Sequence, residues 1–129
     1  MVDQLTHNKI NPGLSGQIIQ LEENYSKVKL NTTSDMIADE KGLIHGGFIF
    51  SLADFAAMVC INHPNVVLGG ATVKFLKPIK QGDTLIAEGR LSKVDGKKHI
   101  VSVTIQKLDQ IVFDGDFQCF ILDKHVLEG

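Results

Sequence analysis

Between His45 and Asn62 the chain reads HGGFIFSLADFAAMVCIN, and Asp54 is its one formally charged side chain. The stretch is too long for one strand, lacks strand alternation and is rich in Ala, Leu and Met, so it predicts a helix. Pro64 ends it, because proline disfavours helix in the residue before it. A helix that is apolar nearly all round must be buried on every side. Any fold for this chain therefore has to wrap that one element.

The flanking segments supply the wrapping. Ile18, Ile19 and Leu21, then Val28 and Leu30, fall either side of Glu22-Glu23-Asn24 and predict a β-hairpin. Residues 1–15, with Asn11-Pro12-Gly13, read as a loop or short capping segment, and residues 32–44 as a loop. After Pro64 everything reads as strand: Val66 to Ile79, Thr84 to Val94, His99 to Leu108 and Ile111 to Leu122. Asp95-Gly96 is a hairpin signal and Asp109-Gln110 a second turn. The expectation is one α+β domain over residues 1–129, an antiparallel sheet of about six strands wrapped around one long central helix. One sheet still leaves a side of the helix bare. A second copy of the chain would cover it, so a homodimer is expected.

Composition narrows the partners. The formal net charge is -2 and the lysines are spread along the chain, which argues against nucleic acid. The first fifteen residues are too few for a helix-turn-helix unit. No run of about 18 apolar residues is present to span a membrane. The N-terminal MVDQLTHNKINPG lacks the apolar core of a signal peptide. Cys60 and Cys119 fit no metal-ligand spacing, the five histidines are scattered, and a cytoplasmic protein with reduced thiols is expected.

Asp54 carries the most chemical information. A carboxylate in an apolar helix costs several kcal/mol if charged and unpaired. Either it bonds a backbone amide, or it lines a wet pocket as a general base or nucleophile with a raised pKa. Gly46-Gly47 at the helix start is either a tight turn or an oxyanion site. The first amides of a helix have no internal partner and lie at the positive end of its dipole. Gly46 and Asp54 stand eight residues apart, roughly 12 Å along one helix axis. One chain cannot bring both to one carbonyl, so a catalytic pair would have to be shared between two antiparallel copies.

These residues resemble a known family. His45-Gly46-Gly47 followed by Leu52-Ala53-Asp54 looks like the HGG…LAD signature of hotdog-fold thioesterases of the phenylacetate-pathway type. Phe75-Leu76-Lys77-Pro78 and Gln81-Gly82-Asp83-Thr84-Leu85 resemble their next strand and turn. The likeness covers roughly residues 14–122. It implies a hotdog fold, a dimer or a tetramer of dimers, and acyl-CoA ligands. By that resemblance, Gly46 polarises the thioester carbonyl and Asp54 of the other chain activates water or attacks directly. His45 shapes the turn and contacts the thioester. Gly47, Asp39, Phe50 and Ser51 fall among the substrate-binding positions, and Lys77, Lys80 and Arg90 are candidate phosphate contacts. Coenzyme A enters as part of the ligand, with no metal or redox cofactor implied. One position departs from the pattern: many relatives carry Asn six residues before the histidine, where this chain has Asp39. An ionised carboxylate cannot donate a hydrogen bond.

Two functions follow as expectations. The first is hydrolysis of an acyl-CoA, and the second is acyl-CoA binding without turnover, as in a sensor or regulator, which Asp39 favours. A ligand-free scaffold leaves Asp54 unexplained, and the His-carboxylate motif of hotdog dehydratases is absent.

Overall fold

The computed structural model, which describes residues 1–129, begins with an ordered strap. Val2 N–H donates to the Leu21 carbonyl at 3.0 Å and Leu5 N–H to Asn62 Oδ1 at 2.8 Å. Asn62 Nδ2 donates back to the Asp3 carbonyl at 2.7 Å. A short helix, α1 (Pro12–Ser15), follows. Asn11 caps it by accepting from Gly13 N–H, and Pro12 occupies its first turn, where a missing N–H costs nothing.

Strands β1 (Gln17–Glu22) and β2 (Tyr25–Asn31) form the expected hairpin. Residues 32–44 contain more structure than a plain loop. Ser34–Met36 makes a 3-10 turn, and Ile37 bridges Ile44 while Leu43 bridges Lys80. The long apolar stretch is helix α2 (Gly46–Ile61), ended by Asn62 in the left-handed region with its N–H on the Met58 carbonyl. Strands β3 (Val66–Phe75), β4 (Thr84–Asp95), β5 (Lys98–Lys107) and β6 (Gln110–Ile121) complete the chain, before a last 3-10 turn at Val126–Glu128. β3 is shorter than the expected Val66–Ile79. Leu76 and Lys77 N–H groups both turn onto the Val112 carbonyl, and Pro78 has no N–H to extend the ladder.

All neighbouring strands pair antiparallel in the order β1-β2-β4-β5-β6-β3. β1 and β3 are thus the edges. The inner face presents Val28, Leu30, Leu85, Ala87, Val103 and Phe117 to α2, all essentially buried. Ser26 on β2 is also buried and donates to the Ala56 carbonyl at 2.6 Å. Gly89 on β4 permits this approach: a Cβ there would lie 3.0 Å from the Ala56 carbonyl oxygen. This is the α+β wrapped-helix architecture expected from sequence. No helix is long and apolar enough to cross a membrane.

Burial of α2 is not equal on every side, which corrects the reading of the helix as apolar and buried all round. Leu52, Ala53, Ala56 and Val59 are fully enclosed. Gly47 is exposed, and Phe50, Asp54 and Ile61 are half-buried. These four recur at three, four and seven residues and form one stripe down the helix. The stripe runs along the β3–β6 end of the sheet, where Phe50 meets Phe117 and Asp54 borders a cleft with Val66 to Leu68.

Candidate functional site

The start of α2 has free donors. His45 is its N-cap in an extended conformation, with no side-chain cap bond. Phe48 N–H reaches the His45 carbonyl at 3.1 Å, whereas the Gly46 and Gly47 N–H groups have no acceptor in the chain. The His45 ring lies over Gly47, where an added Cβ would come 3.0 Å from Nε2. It also meets the Phe48 ring edge-on at 6.2 Å. Phe75, at the end of β3, borders Gly46 and is 51% exposed. The site can therefore hold a carbonyl oxygen against two backbone donors at a positive helix end.

Asp54 lies two turns further along, half-buried. Its Oδ1 is buried and has no hydrogen-bond partner. Burial pushes its carboxyl up to about 6, because an apolar surrounding disfavours the charged form. The side chain borders a cleft of about 580 Å³ with Met58, the first residues of β3 (Val66 to Leu68), the strap at Leu5–Asn8, and His125. Asp54 is thus neither tied to the main chain nor sealed in. At neutral pH it is a carboxylate whose proton affinity suits general base work.

The remaining candidates from sequence separate. Phe50 shares the half-open stripe and packs on Phe117 at 5.5 Å between ring centroids. Ser51 turns away, with its Oγ 2.7 Å from Ser15 Oγ of α1. Asp39 closes its own loop: Oδ1 accepts from Lys41 N–H at 2.9 Å and Leu43 N–H at 3.1 Å. Asp39 and Lys80 share a second groove, about 490 Å³, with Lys41, Leu43 and Lys107. Lys77 is exposed beside it in sequence, in the turn after β3. Arg90 does not join these residues. It stands on the outer sheet face, stacked over Tyr25 at 4.5 Å and 3.4 Å from Glu88. Alternation along β4 explains this, since Gly89 takes the inward position.

Sequence reasoning missed His7, Asn8, Asn65 and His125, which also border the Asp54 cleft. No local pattern marks them. They arrive because both chain ends return to the start of β3. The two cysteines are buried and their thiols are pushed up to about 12, mainly by burial, so neither supplies a thiolate nucleophile.

A six-stranded antiparallel sheet around one long helix, with free amides at the helix start and a carboxyl at its middle, is the hotdog architecture. The profile of the thioesterase superfamily matches residues 41–113, more than half of the chain. The chain belongs to that superfamily. Among solved structures, protein PH1136 from Pyrococcus horikoshii superposes with a TM-score of 0.96 at 48% identity, covering 98% of this chain and 97% of that one. The Escherichia coli PaaI protein, from the phenylacetic acid degradation operon, gives 0.79 at 25% identity over 87% and 83%. The smu.793 protein of Streptococcus mutans, solved bound to acetyl CoA, gives 0.78 at 26% identity over 92% and 97%. Among curated proteins, the methylthioribose-1-phosphate isomerase of Aquifex aeolicus is 51% identical over 95% of this chain and 27% of its own length. Transcription factor FapR of Thermoanaerobacter sp. (strain X514) is 31% identical over 88% and 57%. The chain thus spans about a quarter and just over half of these two relatives.

Proposed function

We propose that this chain binds acyl-CoA thioesters as a homodimer and hydrolyses them at a site shared between subunits. The carrying observation is the Asp54 carboxyl, half-buried in a cleft with Oδ1 unpartnered and its proton affinity raised by burial. The solved smu.793 protein bound to acetyl CoA supports the ligand class.

Edge strand β3 supplies a geometric reason for sharing. Its last residue, Phe75, borders Gly46, and its first residues border Asp54. An edge strand paired antiparallel with its own copy across a two-fold axis sets the end of one strand beside the start of the other. That arrangement carries Gly46 of the partner subunit towards Asp54. In the reaction, ionised Asp54 takes a proton from water as the water oxygen attacks the thioester carbon. The carbonyl oxygen gains the electron pair and is held by the backbone donors at the partner's Gly46. Collapse reforms the carbonyl and breaks the C–S bond. The proton on Asp54 passes to the departing sulfur, and a free acid and CoA thiol leave. Lys80 and Lys77 are assigned to the CoA phosphates; Arg90, on the outer face, is left out.

The test is complementation. Gly46→Pro removes the donor at a helix position that tolerates proline. Each of Asp54→Ala and Gly46→Pro should be inactive alone. Chains mixed and reassembled one to one should recover about a quarter of wild-type thiol release, since half the dimers carry one intact site. Heterodimers that form without recovering activity would overturn the shared site.

A second reading is acyl-CoA binding without turnover. It is favoured by the match to transcription factor FapR and by Asp39, whose carboxylate closes its own loop where an amide donor would serve catalysis. Calorimetric binding with no thiol release selects it.

A further inference from the structure

The cleft beside Asp54 is lined by apolar side chains, Leu5, Met58 and Val66 among them, and by polar ones from the strap, the start of β3 and the C-terminal turn. Four of its polar side chains bond the local chain with one atom only. His7 Nδ1 meets Thr6 Oγ1 at 2.8 Å and Asn8 Nδ2 donates to the Gln4 carbonyl at 3.3 Å. Asn65 Nδ2 donates to the Leu122 carbonyl at 3.2 Å, and His125 Nδ1 accepts from Leu127 N–H at 3.0 Å. The second polar atom of each, Nε2 or Oδ1, bonds nothing in the chain and is left to solvent, Asn8 and His125 being exposed and His7 and Asn65 half-buried, whereas Asp54 Oδ1 is buried and unpartnered. His125, accepting through Nδ1, carries its proton on Nε2 when neutral and so offers a donor. The strap places these groups under constraint. His7 holds φ at 57°, in the left-handed region that a non-glycine residue adopts only where its surroundings hold it there. The bonds of Val2, Leu5 and Asp3 to Leu21 and Asn62 pin the chain before it.

Building on the acyl-CoA reading, we infer that this cleft receives the acyl group, and that the strap residues His7 and Asn8 select acyl groups bearing a hydroxyl or oxo substituent over plain alkyl groups of equal length. A hydrocarbon entering here strips water from polar atoms and returns no hydrogen bond, whereas a substituted chain restores one. Sites built to bond a substrate hydroxyl reject analogues that lack it far more strongly than apolar pockets reject a missing methylene. Donors and acceptors set among apolar lining residues suit an acyl chain with one polar position.

The full chain is titrated with butanoyl-CoA and with each enantiomer of 3-hydroxybutanoyl-CoA, following heat of binding and thiol release. One hydroxyacyl enantiomer should be preferred by about tenfold or more in Kd or kcat/KM, the scale of one well-made hydrogen bond. His7→Asn, which keeps a side chain tolerant of the left-handed backbone, combined with Asn8→Leu should bring that ratio to near one. Comparing two ligands on one variant cancels any loss of folded protein. Equal handling of both thioesters by the wild type overturns the selectivity and leaves acyl-CoA binding standing. A preference that survives the double substitution overturns the role of the strap. Failure of every thioester to bind overturns this inference together with the function it builds on.

Discussion

Two carboxylates of this fold meet opposite fates. Asp83, at the turn into β4, is only 8% exposed. Burial acts to raise its pKa, but the Lys80 amide at 2.9 Å and the Lys107 ammonium at 3.0 Å outweigh it and hold the carboxyl below its usual range. Asp54 is more open yet has no partner, and burial alone pushes it up to about 6. The turn uses its acid to hold strands together, and its charge stabilises the fold. The cleft keeps its acid unpaired, and its charge opposes the fold. Unpaired acids of this kind cluster where chemistry needs them.

The largest expected effect is on turnover. Asp54→Asn should lower kcat for acyl-CoA hydrolysis by about 10² to 10⁴, the usual worth of a general base, with ligand binding retained in calorimetry. An unchanged kcat would erase the functional half of the contrast. Stability should move in opposite directions at the two sites. Asp83→Ala should lose about 2–3 kcal/mol in urea unfolding, because Lys107 and the Lys80 amide lose a charged partner. Asp54→Asn should gain up to about 3 kcal/mol at pH 8, the value of lowering an acid from about 6 to the ordinary 3.8.

Asp83, lowered in the fold, contributes stability above the unfolded value near 3.8 that is lost as pH falls through its lower folded value. Asp54, raised in the fold, binds its proton more tightly when folded, so its contribution falls as pH rises from 3.8 through about 6. The gain from Asp54→Asn should therefore vanish below pH 4. Because the base acts ionised, kcat should rise with pH through about 6 and then level off, while binding of acyl-CoA stays flatter. The smallest effect concerns the thiols. Cys60 and Cys119 are buried and their pKa values lie near 12, so iodoacetamide at pH 8 should label the native protein far more slowly than the urea-unfolded chain.

Much of the frame is legible in the sequence. The α2 limits, the β1–β2 hairpin and the strands after Pro64 follow from apolar run length and alternation, which are local properties. Small offsets have local causes too. The turn between β5 and β6 falls at Leu108-Asp109, because Leu108 takes the left-handed backbone, φ 55°. The end of β3 is hidden from sequence because Leu76 and Lys77 look like strand residues but give both amides to one carbonyl of β6. In the site, Gly46, His45 and Asp54 stood out from their neighbours as anomalies of residue type. Ser51 and Arg90 did not keep company with them, because side-chain direction depends on which strand or helix lies opposite.

Residue order alone determined that one greasy helix had to be enclosed by strands, and that a single acid within it needed an explanation. Folding decided which side of that helix stayed open, and brought His7, Asn8, Asn65 and His125 to the acid from both ends of the chain. The reason is one of range. Periodicity and turn chemistry act over a few residues, whereas a cleft is made by segments more than a hundred residues apart in sequence, and only the assembled sheet and helix set where those meet.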